Sequence, residues 1–215
     1  METIDAVNKD FKAVNKTLKE TLNGQQVVVK NAGHLHGLAS GLKLGEVTIQ
    51  GDVGDYLGVL NDGAIIKVTE NAGKYMADNM TSGVVTIDGN ADYGAGQYCY
   101  GGSIIIYGDA GDFTATMNKG ATILVAGDVG DEVGTYMLNG DLIILGNAGE
   151  NFSNYLIRGN VYIGGNWKSL GHNTRVEPLT SGDLAKLSAF FEKHEIEANL
   201  TNFKKIVAAS EKPFY

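Results

Sequence analysis

The chain has 215 residues, 43% of them hydrophobic, with 30 glycines against two prolines: enough apolar content for one body of ordinary size, turned through Gly and Asn/Asp and not through proline. A formal net charge of −8, with no basic stripe, excludes an extended phosphate backbone, so no nucleic-acid partner is expected. The single cysteine, Cys99, excludes an internal disulfide and a cysteine-built zinc or iron–sulfur site, and no apolar run approaches the ~18 residues needed to cross a bilayer.

Residues 3 to 22 come first. Ile4, Val7, Phe11, Val14, Leu18 and Leu22 recur at spacings of three and four, one apolar face of a helix that Asn23-Gly24 would end. Residues 1–23 are therefore predicted to form a capping helix. The first twenty residues are charged throughout and hold no apolar signal-peptide core, so the sequence reads as cytoplasmic.

Residues 24–175 carry an internal repeat. Asn or Asp, then Ala or Val, then Gly returns at Asn31-Ala32-Gly33, Asp52-Val53-Gly54, Asn71-Ala72-Gly73, Asp109-Ala110-Gly111, Asp128-Val129-Gly130 and Asn147-Ala148-Gly149, with degenerate copies at Asn90-Ala91-Asp92 and Asn166-Trp167-Lys168. From Asp52 onward the spacing is nineteen each time; the interval from Asn31 to Asp52 is two longer. Five residues before each Asn/Asp stands an aliphatic residue (Val47, Ile66, Val85, Ile104, Ile123, Leu142, Val161), and three before it another (Ile49, Val68, Ile87, Ile106, Val125, Ile144, Ile163). Two apolar positions separated by one residue mark a strand with one buried face. Small residues recur six and twelve positions after the Asn/Asp, as at Gly58, Ala77 and Gly96 and at Ala64, Gly83 and Gly102, where the chain must turn a corner.

A nineteen-residue unit cannot bury its own apolar face, so the units must stack. The predicted fold is an all-β, single-stranded parallel β-helix of about eight coils with helical ends, right-handed by the general preference of parallel crossovers, and about 34 Å long at ~4.8 Å per stacked strand. Asn31, Asp52, Asn71, Asn90, Asp109, Asp128 and Asn147 would stack as a ladder. Each is expected to hold an Asx-type turn, with Gly54, Gly73, Gly111, Gly130 and Gly149 in a left-handed conformation, in preference to binding metal.

The outward positions of the strands change along the chain. Thr48 with Gln50, Lys67 with Thr69 and Thr86 with Asp88 are polar, whereas Ile105 with Tyr107, Leu124 with Ala126 and Ile143 with Leu145, then Tyr162, are apolar. Such a patch would reach several hundred Å², more than a monomer usually leaves bare. Residues 176–215 are predicted to form a helical tail that packs on the β-helix. A helix at 181 to 195, capped by Ser181 or Asp183, would lay Leu187, Phe190 and Phe191 on this patch in preference to a partner subunit, and a segment at Phe203 to Val207 is expected to be helical, before an aromatic tail at Phe214 and Tyr215.

No constellation of catalytic, cofactor-binding or metal-binding residues emerges. His34 and His36 form a His-x-His pair without a third ligand; His172 and His194 stand apart. Cys99 reads as a small buried residue. Gly94-Ala95-Gly96 leads into another coil and not into a helix, so it is a weak phosphate loop. Hexapeptide acyltransferase solenoids and calcium-binding β-rolls need six- and nine-residue repeats that are missing here.

Gly51-Asp-Val-Gly54-Asp-Tyr-Leu-Gly58, its copy Gly127-Asp-Val-Gly130-Asp-Glu-Val-Gly134, and the corners Met80 to Gly83, Met117 to Gly120 and Met137 to Gly140 resemble the GXGXG family over residues 24 to about 175. That family comprises the C-terminal β-helix of the glutamate synthase large subunit, free-standing counterparts, and the β-helical component of formylmethanofuran dehydrogenase. Gly171-His-Asn-Thr174, Leu187 to His194 and Phe203 to Val207 are similar to glutamate synthase ends; Asp92 and Trp167-Lys168 depart from the repeat. The resemblance implies a β-helix that braces enzyme modules and contributes no catalytic residue or cofactor. It implies a class II glutaminase and an FMN-binding glutamate synthase-like subunit as partners, including N-methylglutamate synthase-type assemblies, with a homo-oligomer also open. The alternatives are a component of formylmethanofuran dehydrogenase and a solitary β-helical binding module.

Overall fold

The computed structural model describes residues 2–22, 26–210 and 212. It is a parallel β-solenoid. Strand β1 (Glu2–Asp5) and helix α1 (Phe11–Thr21) precede eight equivalent strands: β2 (Gln26–Lys30), β3 (Glu46–Gln50), β4 (Asp62–Val68), β5 (Ser82–Ile87), β6 (Ser103–Ile106), β7 (Lys119–Val125), β8 (Asn139–Ile144) and β9 (Asn160–Ile163). Strand β10 (Thr174–Glu177), helix α2 (Ser181–Lys193), a 3-10 turn (Leu200–Asn202) and strand β11 (Lys204–Ala208) follow. Among the described residues all eleven strands lie in one sheet, ordered β1 to β9, then β11, then β10.

Each strand pairs in parallel with its equivalent one coil on, as Ile66 with Val85 and Ile104 with Ile123. The inward columns from Val47 to Val161 and from Ile49 to Ile163 are buried and form one continuous core. The eight strands enclose about seven turns, one fewer than the eight coils expected. Beyond Ile163 the parallel pairing is reduced, among the described residues, to the isolated bridges of Ala148 with Trp167 and Phe152 with Leu170, and the place of a further parallel strand is taken by antiparallel β11. The two extra residues between Asn31 and Asp52 fall in the His34–His36 corner, because Gly37 already bonds to the next coil in the regular way, its N–H donating to Asp55 O.

The ends differ from their expected form. The N-terminal cap is not one helix over 3–22: Glu2–Asp5 adds a parallel strand beside β2, and the helix begins at Phe11, with Asp10 as its N-cap. Edge pairing uses the alternation that buries Ile4, and it turns Val7 and Phe11, expected on the apolar helix face, out to 52% and 43% exposure. The expected stop at Asn23-Gly24 and the tail at Phe214 and Tyr215 lie outside the described residues. At the other end, the segment Phe203–Val207, expected as helix, falls from Lys204 onward in strand β11, with Ile206 opposite Val161. The last solenoid strand has an open edge, and closing it satisfies more backbone groups than another helical turn would.

Two interior asparagines fasten the corners. Asn61 and Asn118 are fully buried; their Nδ2 atoms donate to Ala64 O and Ala121 O at 2.9 Å, and their Oδ1 atoms accept from the same alanines' N–H groups. The neighbouring coils place Met80, Cys99, Met137 and Leu156 in that column.

Candidate functional site

Three walls of the solenoid carry side chains with an identifiable job. The first is the outer face of the late strands. Ile105, Leu124, Ile143 and Tyr162 are at most 1% exposed and form a second apolar cluster with Leu187, Phe191 and Phe203, against which Leu145, Ala126 and Phe190 pack. Helix α2 covers this face within the chain itself. Tyr107 stays 41% exposed at the margin, its hydroxyl donating to His194 O at 3.0 Å.

A buried polar staple holds the cover in place. The Asp183 carboxylate accepts from Tyr162 Oη at 2.6 Å and from Lys205 Nζ at 2.8 Å through one oxygen, and from Thr180 N and Oγ1 through the other. Thr180 in turn caps the helix by accepting from Asp183 N. Burial pulls the Asp183 carboxyl upward, but the hydrogen bonds from Lys205, Tyr162 and Thr180 outweigh it and hold the group well below the usual carboxylate range. Burial, with Asp183 as acceptor, pushes the Tyr162 phenol up. The phenol therefore stays a donor.

The second wall is the Asn/Asp ladder. From Asp52 to Asn147 each side chain accepts the backbone N–H of its equivalent in the next coil: Asn71 N donates to Asp52 Oδ1 at 3.0 Å, and the series continues through Asn90, Asp109, Asp128, Asn147 and Asn166. Asn31, expected as the first rung, instead has a φ of +59° and donates through Nδ2 to Asp5 Oδ1 at 2.9 Å. This corrects the expected local Asx turn. It also corrects the role of the glycines, since none of Gly54, Gly73, Gly111, Gly130 and Gly149 has a positive φ. They are glycine because the coils touch there: a Cβ on Gly149 would stand 2.0 Å from Asp131 Oδ1, and one on Gly111 2.8 Å from Tyr93 N. A second ladder runs three residues further on, where Lys74 N, Asp131 N and Glu150 N donate to Asp55, Asp112 and Asp131. His36 is its first rung, with Nδ1 at 3.0 Å from Asp55 N, and His34 Nε2 lies 3.1 Å from Lys9 O. Among the described residues no group of three or more His, Cys, Asp or Glu side chains is placed to hold a metal ion.

Cys99 is fully buried, and burial pushes its thiol up to about 12, which suits packing and not nucleophilic attack.

The third wall has no counterpart among the sequence expectations. Four and eight residues after the Asn/Asp rung, non-glycine residues sit in the left-handed region: Tyr56, Tyr75, Phe113 and Glu132 in one row, Tyr98, Met117, Tyr136 and Tyr155 in the other, all at φ between 51 and 59°. Their N–H groups donate to the next coil, as Tyr75 N to Tyr93 O and Tyr98 N to Thr116 O, while the small residues between them, such as Ala77 and Ala115, donate to the previous one. Left-handed backbone costs roughly 1–2 kcal/mol at each such residue. Stacking along the rows, with Tyr56–Tyr75 ring centroids 5.1 Å apart and Tyr136–Tyr155 5.3 Å apart, returns about 0.5–1.5 kcal/mol per pair, which only offsets that cost. The same columns accept Gly94, Asn79 and Asn151, residues for which this backbone is cheaper, so the coil does not itself require the rings.

A family model described as GXGXG motif matches residues 93–212, more than half of the chain. The chain belongs to the GXGXG motif family. No curated protein matches it. The match to the GXGXG model begins later and ends later than the sequence motifs that resemble the family: it runs from Tyr93 through β11 and takes in the α2 cover, while the coils before Tyr93 continue the same ladders in this GXGXG-family chain.

Proposed function

We propose that this chain is a non-catalytic assembly subunit of a glutamate synthase-like complex, bracing a class II glutaminase against an FMN-binding synthase subunit. Family membership is what carries the reading, because the GXGXG motif family is consistent with a glutamate synthase-related domain. The chemistry of the chain agrees with a brace. Its Asn/Asp side chains serve inter-coil hydrogen bonds, its buried carboxylate is committed to Lys205 and Tyr162, and its cysteine lies in the core. A solenoid laced in this way resists bending along its axis and can fix the spacing of two enzymes. The test is co-expression with a class II glutaminase and an FMN-binding synthase subunit from the same genome. The expected result is a stable ternary complex whose glutamine-dependent amino transfer is lost when this subunit is omitted. Full coupled activity without it, or its isolation with molybdenum- or tungsten-dependent dehydrogenase subunits instead, would overturn the reading.

A further inference from the structure

The two left-handed rows bound a furrow of about 400 Å³ on the third wall. Tyr75, Tyr93 and Phe113 line one bank, and Tyr98, Met117 and Tyr136 the other. The floor between them is Gln97, Thr116 and Thr135, each no more than 9% exposed. Gly94 stands where the neighbouring coils have Tyr75 and Phe113, and the Tyr93 ring fills the row beside it, its centroid 5.5 Å from that of Tyr75 and 5.2 Å from that of Phe113.

The donors of this floor are turned back into the protein. Thr116 Oγ1 donates to Phe113 O at 2.8 Å, Thr135 Oγ1 to Glu132 Oε2 at 2.9 Å, and Gln97 Nε2 to Phe113 O at 3.3 Å. What lines the furrow is therefore mainly aromatic, with both floor hydroxyls committed to protein acceptors. One coil before Gln97 the floor column holds half-buried Asp78, and the Glu132 carboxylate is bonded to Thr135 of the floor; neither carboxylate lines the furrow itself. Among the described residues no lysine or arginine lines it. On the far side of Tyr98 the Lys119 ammonium already rests 5.8 Å from that ring's centroid and 4.0 Å from the centroid of Tyr100, so rings on this wall are placed to attract cations.

We propose that the furrow is a binding site for an organic cation, an alkylated ammonium or a guanidinium group, held between ring faces. Aromatic quadrupoles attract such cations, most strongly where several rings converge and water is excluded. The surplus of negative charge on the chain adds to the attraction. Packing of the Tyr93 ring against Tyr75 and Phe113 holds their bank before binding, which lowers the ordering cost.

The test is a calorimetric and NMR titration of the full chain with tetramethylammonium chloride, against sodium chloride at equal ionic strength and against neopentyl alcohol as a neutral isostere. Saturable binding in the millimolar range is expected for tetramethylammonium alone, with the shifts confined to Tyr75, Tyr98, Phe113 and Tyr136. Replacing the rings with residues these columns already accept, Phe113→Gly together with Tyr98→Asn, should weaken binding about tenfold while the circular dichroism spectrum is kept. A further arm compares peptides bearing arginine or trimethyllysine: tighter binding of a peptide than of tetramethylammonium assigns the site to a side chain of a partner, and the reverse to a free small cation. Absence of saturation by every cation, an equal response to neopentyl alcohol, or unchanged affinity in the double variant would overturn the proposal; the isostere comparison stands even if that variant does not fold.

Discussion

Strands β3 to β5 and strands β6 to β9 share one register and one pair of inward columns, yet their outer faces behave as two different proteins. In the early coils Lys67 is exposed and ion-paired with Asp88 at 3.0 Å, and Thr48 and Thr86 are half-buried. In the late coils Ile105, Leu124, Ile143 and Tyr162, at the same outward position, are buried as deeply as the core itself. The inward pair is dictated by the stack, which every coil must join. The outward residue answers only to what lies on top of it, and of the strands β3 to β9 it is the late ones that have a cover.

The comparison breaks most sharply under charge. Ile106→Asp and Leu124→Asp should each cost several kcal/mol of a stability of about 5–15 kcal/mol, one from the solenoid core and the other from beneath α2, because both bury an unpaired carboxylate. Thr48→Asp, opposite Lys67 in the early coils, should stay within about 0.5 kcal/mol of the wild type. Urea unfolding of the three variants measures this, and cooperative, near-native unfolding of Leu124→Asp would mean that the late face is not sealed.

The staple sharpens the same contrast at an intermediate size. Lys205→Ala leaves the Asp183 carboxylate buried without its cation and should cost roughly 3–5 kcal/mol, seen as faster amide exchange in α2 while the early coils stay protected. The folded-state pKa of Asp183 lies below its unfolded value of 3.8. Its contribution is therefore fully present above that value and is lost as the pH falls through it toward the lower folded value. Acid should loosen the cover before it affects β3 to β5, and Asp183→Asn should flatten that part of the pH profile.

The smallest effects separate two uses of glycine. Gly149→Ala places a methyl 2.0 Å from Asp131 Oδ1 and should cost about 1–3 kcal/mol through a forced shift between coils. Gly51→Ala meets nothing within 4 Å, and its φ of +96° is the sole objection, so about 1 kcal/mol is expected. Thermal midpoints of the two variants in one background would decide the order.

The columns were legible because a solenoid converts tertiary contact into sequence period: Ile104 touches Ile123 for the same reason that both stand five residues before an Asn/Asp rung. The apolar outward run at Ile105, Leu124 and Ile143 was legible for the same reason, as a break in the polar alternation. The left-handed rows were not, although Tyr56 and Tyr75, or Tyr136 and Tyr155, recur at the same nineteen-residue period; an aromatic residue is a poor indicator of left-handed backbone. The glycine after each rung reads in the sequence as a conformational need when it is a spatial one, since only the neighbouring coil reveals the clash.

By itself, then, the sequence determined the repeat, the two inward columns, the stacking they compel and the position of the apolar patch, all of which follow from local periodicity and the need to bury apolar surface. The tertiary structure alone decided what happens where the period stops. Lys204–Ala208 became a strand because β9 offered an open edge, Glu2–Asp5 likewise beside β2, and Asp183, Tyr162 and Lys205 met because helix α2 folded back over the late coils. Those contacts join segments with no common period, and their free energy depends on partners brought together only by folding.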